Sequence, residues 1–165
     1  MSRSMVRLHH GSFFHSQGPP LYRFQVKKKN YEFIEHTADL CIRVKAGNLS
    51  ALFKNAALAV FEIIATPKKR EKTGREKLSI DQQAGDLEEL FINWLNELLS
   101  LSSAKGLIFD DFKIDQLDDH HLKAQAFAGD IKNYKVNTEI KAATYHELKI
   151  AQLDSGWQAE VILDV

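Results

Sequence analysis

The residues best suited to chemistry are His36, Thr37 and Asp39, set together in Glu35-His36-Thr37-Ala38-Asp39. An imidazole, a hydroxyl and a carboxylate within four positions supply a base, a hydrogen-bonding group and an oxygen ligand. Two readings are open. Thr37 and Asp39 can hydrogen-bond the backbone of a bend, or the three residues form a polar tip that holds a cation or a partner. A second polar group, Asp115-Gln116-Leu117-Asp118-Asp119-His120-His121, invites a metal-site reading. Adjacent residues on a hairpin tip point in different directions, however, which favours a solvated turn.

The elements on either side must position these groups. Tyr31, Phe33 and Glu35 project from one face of a first strand; Leu40, Ile42, Val44 and Ala46 alternate with Cys41, Arg43 and Lys45 in a second. Asn48 and Ser50 provide capping chemistry for a helix whose apolar positions, Leu49 to Ile64, keep helical spacing to about Ala65. Thr66-Pro67 ends it, because proline disfavours helix in the residue before it. A charged loop from Lys68 to Lys77 leads to a short strand at Leu78 and Ile80.

Asp86 caps the second helix, with Glu89 at the capping-box position. Its stripe of Leu87, Leu90, Phe91, Trp94, Leu95, Leu98, Leu99 and Leu101 reads as core, and Ser102 to Gly106 ends it. Strands over 107–114 and 122–128 flank the polar turn, and an irregular piece with room for one helical turn runs to Asn137. His146, Leu148 and Ile150 then alternate with Tyr145, Glu147 and Lys149. After the turn at Asp154-Ser155-Gly156, Trp157, Ala159, Val161 and Leu163 line one face of a last, well-paired strand that ends at Asp164 and Val165. Pattern alone gives an α+β fold, two helices packed on a mixed, mainly antiparallel sheet.

Composition narrows the function classes. The length of 165 residues suits one domain, with 44% apolar and 27% charged residues. No run approaches the roughly 20 apolar residues of a membrane span. One cysteine, Cys41, excludes an intramolecular disulfide framework and a cysteine zinc site, and a cytoplasmic address is expected. The 22 basic and 22 acidic residues are unevenly placed. Residues 1–29 hold Arg3, Arg7, Arg23, Lys27, Lys28 and Lys29 and no acid, leaving a net of −6 on the rest. An acidic globular part is not built to grip RNA phosphates broadly; its partner is a protein or a metal ion. Residues 1–30 lack a core pattern and are expected to be a disordered or non-native N-terminal extension to a domain at 31–165.

Three stretches together resemble the archease family. They are Glu35-His36-Thr37-Ala38-Asp39 after an aromatic strand; Leu90-Phe91-Ile92-Asn93-Trp94-Leu95-Asn96-Glu97-Leu98-Leu99; and Ile140-Lys141-Ala142-Ala143-Thr144-Tyr145-His146 followed by Val161-Ile162-Leu163-Asp164-Val165. The resemblance covers 31–165 and implies a strand-helix-strand-strand module embedded in a second copy. It also implies a non-catalytic activator of an RtcB-type RNA ligase, which helps the ligase acquire guanylate on a histidine and turn over repeatedly in tRNA splicing or RNA repair. RNA is then met only indirectly, and no membrane is involved.

The family role is tied to a metal-binding acidic tip. Carried over residue by residue, it lands on Asp39 and Asp164, with the Val165 carboxylate as a third oxygen donor; His36, Thr37, Lys141, Thr144 and His146 are motif neighbours. Oxygen donors suit Ca²⁺ or Mg²⁺ better than Zn²⁺. The competing readings are a small metal-dependent phosphoester hydrolase with His36 or His146 as base, a general protein chaperone, and an RNA-binding module. Against the hydrolase, no larger set of convergent ligands, phosphate-cradling loop or nucleophile–base pair is recognisable.

Overall fold

The computed structural model describes residues 29–36, 39–69 and 75–165. The described residues alternate strands with two helices. Strands β1 (Tyr31–Ile34) and β2 (Leu40–Ala46) precede helix α1 (Leu49–Ile64), and β3 (Ala65–Pro67) and β4 (Glu76–Gln83) follow it. Helix α2 (Leu87–Lys105) leads into β5 (Leu107–Leu117), β6 (His121–Asp130), a 3₁₀ turn at Ile131–Asn133 and β7 (Tyr134–Val136). The chain closes with β8 (Ala142–Leu153) and β9 (Gly156–Asp164).

Among the described residues the strands form three antiparallel sheets, in the orders β1-β2-β9-β8, β4-β6-β5 and β3-β7. The repeat is visible in these orders. β4-α2-β5-β6 builds a sheet in which the last strand lies between the other two. β2, α1, β8 and β9 do the same, and the first set is inserted between α1 and β8 of the second. The embedded duplication is therefore present, and among the described residues every strand pairing is antiparallel.

Local chemistry explains the helices. Asn48 caps α1 by accepting from the Ala51 N–H at 2.8 Å, while Ser50 lies inside the first turn. Asp86 caps α2 by accepting from Glu89 N–H at 2.8 Å, but Glu89 reaches back to Gly85 N–H at 2.6 Å, one residue before the expected partner. The second helix runs to Lys105, further than the serines suggest. Ser102 is buried and donates to the Leu107 carbonyl, and Gly106 terminates the helix in the left-handed conformation at φ 65°.

Each helix touches both large sheets, α1 lying on β2 and β5 and α2 on β8 and β5. Trp94, Phe53, Phe91, Phe109 and Phe112 are fully buried where they meet. On β5 and β6 large faces small: Phe109 pairs with Ala128, Phe112 with Ala126 and Ile114 with Ala124, which leaves room for the helices.

Several strands exceed their sequence limits. β4 starts at Glu76 because an edge strand tolerates polar side chains on its open face. The β5–β6 turn is tight because Asp118 accepts from the N–H groups of both His120 and His121 at 2.9 Å, so the strands extend to Leu117 and back from His121. β3 and β7, three residues each, were not expected as strands; neither is long enough to show a period.

Candidate functional site

The tip is assembled by strand register. β2 and β9 pair with Leu40 opposite Leu163, so Asp39 and Asp164 continue the ladder at one end of the sheet. On the other side of β9, Ala142 is opposite Asp164, and Lys141 donates its backbone N–H to the Asp164 carbonyl at 2.7 Å. The start of β8 is held from below by α2. Asn96 donates to the Ala143 carbonyl at 3.1 Å and accepts from the Ala143 N–H at 2.8 Å. One side chain of the second motif thus fixes the backbone of the third against the last strand. Three stretches scattered along the sequence meet at one sheet end.

The individual side chains sort as follows. Asp39 is 46% exposed, Asp164 is exposed at the last paired position of β9, and Val165 follows it at the surface. The Lys141 side chain is exposed, and only its backbone is engaged in the ladder. Thr144 pairs with Ile162 and carries a buried hydroxyl oxygen with no hydrogen-bond partner. His146 points to solvent, 70% exposed, 3.9 Å from Glu147. His36 places Nε2 3.0 Å from Glu147 Oε2 and Nδ1 3.6 Å from Asp39 Oδ2. Thr37 lies outside the described residues.

Sequence reasoning missed Glu147, Asn96 and the charge row beneath the tip. In that row Arg43 contacts Glu160 through both Nε and a terminal nitrogen, at 2.9 and 2.7 Å, and Glu32 at 2.8 Å; Lys149 reaches Glu160 at 3.5 Å. The alternation of sign along four adjacent strands holds Glu160 below the usual carboxylate range through its bond to Arg43. Glu147 is likewise lowered, chiefly by its bond to His36. Burial, then Glu160 and Glu147, push the Cys41 thiol up, which keeps it protonated and unreactive. The spacing of Arg43 and Glu32 on facing strands could have flagged the row; nothing in the sequence pairs His36 with Glu147.

The hairpin cluster does not form a ligand set. Asp115 engages Lys113 and Gln125, Asp118 its own turn, and His121 Nε2 meets Asp81 at 2.6 Å. Among the described residues no three His, Cys, Asp or Glu side chains converge as they would around an ion. What the tip offers is two surface carboxylates, Asp39 and Asp164, on adjacent strands. Oxygen donors of this kind suit Mg²⁺ or Ca²⁺ in chemistry rather than a closed zinc cage. A cleft of about 660 Å³ between the end of α1, β3, β7 and β5 is lined by none of these motif residues.

The model of the archease protein family (MTH1598/TM1083) matches residues 31–165. The chain belongs to the archease family. Protein archease of Methanosarcina barkeri is 37% identical over 144 residues, covering 83% of this chain and 97% of that protein. Protein archease of Pyrococcus furiosus is 37% identical over 143 residues, 83% and 99% of the two chains. The solution structure of Methanobacterium thermoautotrophicum protein 1598 superposes with a TM-score of 0.63 at 31% identity, over 83% of this chain and 99% of that one. A Thermotoga maritima crystal structure, described as an archease and possible chaperone, matches at a TM-score of 0.55 and 24% identity over 81% and 96%; it supports the archease fold alone. No helix among the described residues is long and apolar enough to cross a membrane.

Proposed function

We propose that this chain is a non-catalytic accessory protein of an RtcB-type RNA ligase, promoting the ligase's guanylylation and repeated turnover in tRNA splicing or RNA repair. The observation that carries the reading is the β2–β9 register, which sets Asp39 beside Asp164 at an exposed sheet end. Asp39, Asp164 and the Val165 carboxylate are the proposed oxygen ligands of a divalent cation, Ca²⁺ or Mg²⁺. When bound, such an ion offsets the mutual repulsion of the carboxylates and presents a hard coordination centre to a partner. The chain's own groups hold the geometry: Lys141 and Asn96 fix the backbone next to Asp164, and the acidic surface suits a protein partner better than RNA.

Asp39→Ala and Asp164→Ala are expected to abolish stimulation of the ligase while leaving the fold intact, since both residues are surface groups at element ends. Ca²⁺ or Mg²⁺ is expected to raise the melting temperature of the unsubstituted protein and to do little for either variant. Undiminished stimulation by both variants would remove the tip from the function. Metal-dependent phosphoester hydrolysis by the isolated protein, lost in Asp39→Ala, would replace the accessory role with an enzymatic one.

A further inference from the structure

The outer face of the four-stranded sheet contains an anomaly. Cys41 and Ile162 alternate with the core-facing residues of β2 and β9 and so point away from the helices, yet they are only 7% and 3% exposed. They belong to neither helix interface; Ile42 and Val161, their inward neighbours, do. Something covers them from outside.

The cover is built from the two edges of the sheet. Between the pairs Thr144–Ile162 and Lys149–Glu160, β8 carries four residues, Tyr145 to Leu148, where β9 has only Val161. Within this bulge Glu147 takes φ 53°, and it is the one non-glycine residue with positive φ among those described. Side chains with a Cβ avoid that region, and such outliers persist where surrounding contacts hold them. The holding contact is His36, which follows the opposite edge strand, β1. Three strand spacings, roughly 14 Å, separate β1 from β8. A 3.0 Å contact between His36 Nε2 and Glu147 therefore links the two edges on the side of Cys41, whose thiol feels the Glu147 charge. The Glu147 carboxylate accepts from Nε2–H, which leaves Nδ1 buried without a hydrogen bond, 3.6 Å from Asp39 Oδ2.

We infer that Glu147 is a positioning residue: its carboxylate orients the His36 ring, which lies beside Asp39 at the tip with Nδ1 3.6 Å from Oδ2. The arrangement has the logic of a carboxylate that fixes a histidine's tautomer and rotation beside a ligand group. The inference rests on the acidic-tip reading for its consequence in function, but the geometric part stands separately.

Two variants separate carboxylate from backbone. Glu147→Gly relieves the left-handed conformation and deletes the side chain, whereas Glu147→Gln keeps an acceptor for Nε2–H. In the Gly variant the His36 imidazole ¹⁵N resonances are expected to move from one tautomer to a mixture, and amide exchange at His36 and Asp39 to quicken about tenfold or more. The Gln variant should fall between, and the melting temperature should stay within a few degrees in both. The Ca²⁺ or Mg²⁺ concentration giving half-maximal ligase stimulation should rise roughly 10- to 100-fold in Glu147→Gly, with the plateau recovered at saturation. Unchanged imidazole resonances and exchange in Glu147→Gly overturn the inference. If the resonances move while the ion requirement does not, and Asp39→Ala still abolishes stimulation, the tip stands and Glu147 does not act through it. If Asp39→Ala is silent as well, the tip reading has failed, and the resonances alone decide whether Glu147 sets His36.

Discussion

Replacing Trp94 tests whether the duplicated modules share one core. The side chain is fully buried at the middle of α2, donates Nε1–H to the Phe53 carbonyl of α1 at 3.0 Å, and meets the Phe112 ring of β5 edge-on with centroids 5.4 Å apart. It therefore ties both helices to the inner sheet. Trp94→Ala empties an aromatic site and is expected to cost about 4 kcal/mol, within the usual range for such truncations. Trp94→Phe keeps an aromatic ring edge-on to Phe112 and loses chiefly the hydrogen bond. The Phe53 carbonyl still has its partner four residues on in the helix, so no orphan is created, and the expected cost is about 1–2 kcal/mol. At roughly 4 °C per kcal/mol for a domain of this size, the two melting temperatures should fall by about 15 °C and about 5 °C. Urea denaturation followed by far-ultraviolet circular dichroism reads both, with unchanged slopes. A loss under about 1.5 kcal/mol for Trp94→Ala, or equal losses for the two variants, would refute the reasoning, because volume and hydrogen bond would then not be separable contributions at a shared core.

Gly156→Ala should cost about 2–3 kcal/mol, since φ is 133° and an added Cβ would sit 2.2 Å from the Ala46 carbonyl oxygen; an unchanged melting temperature would mean the β8–β9 turn does not abut the end of β2 as described. Glu160, Glu147 and Asp81 all have folded-state carboxyls lowered by Arg43, His36 and His121 respectively. Their stabilisation is present above the ordinary carboxylate range of about 4–5 and is lost as pH falls through the depressed values. Arg43→Gln should therefore flatten the decline in melting temperature below about pH 5; an identical acid limb in the variant would show that the Arg43–Glu160 contact does not form in solution.

Much of this fold is legible in the sequence because its signals are local. Asn48 and Asp86 cap the helices they precede, the Leu-rich stripe of α2 is buried as its spacing requires, and Trp157 to Leu163 alternate into the core. The three motif stretches, each recognisable in itself, do meet at one sheet end. What could not be read is non-local or violates a pattern. The alternation from Tyr145 to Ile150 looks like an uninterrupted strand, and no glycine or asparagine marks the left-handed residue, because Glu147 is held there by a histidine distant in sequence. The β3–β7 ribbon is too short to have a period and forms only because the end of α1 delivers Ala65 to Val136. The turn at Asp118 is tighter than its composition suggests because one carboxylate serves two N–H groups.

The insertion of one module inside the other has a kinetic consequence. β4, α2, β5 and β6 are contiguous, whereas Arg43 and Glu160, partners across β2 and β9, stand 117 residues apart in the chain. Closing so long a loop is slow and entropically costly until the intervening chain has condensed. The inner unit is thus the natural nucleus, and the sheet bearing the acidic tip closes around it afterwards. Substitutions on β5 and β6 should slow folding, while those on β2 and β9 should mainly speed unfolding. The tip then sits on the sheet that forms last and opens first, which leaves it the part of the molecule most readily reshaped against another surface.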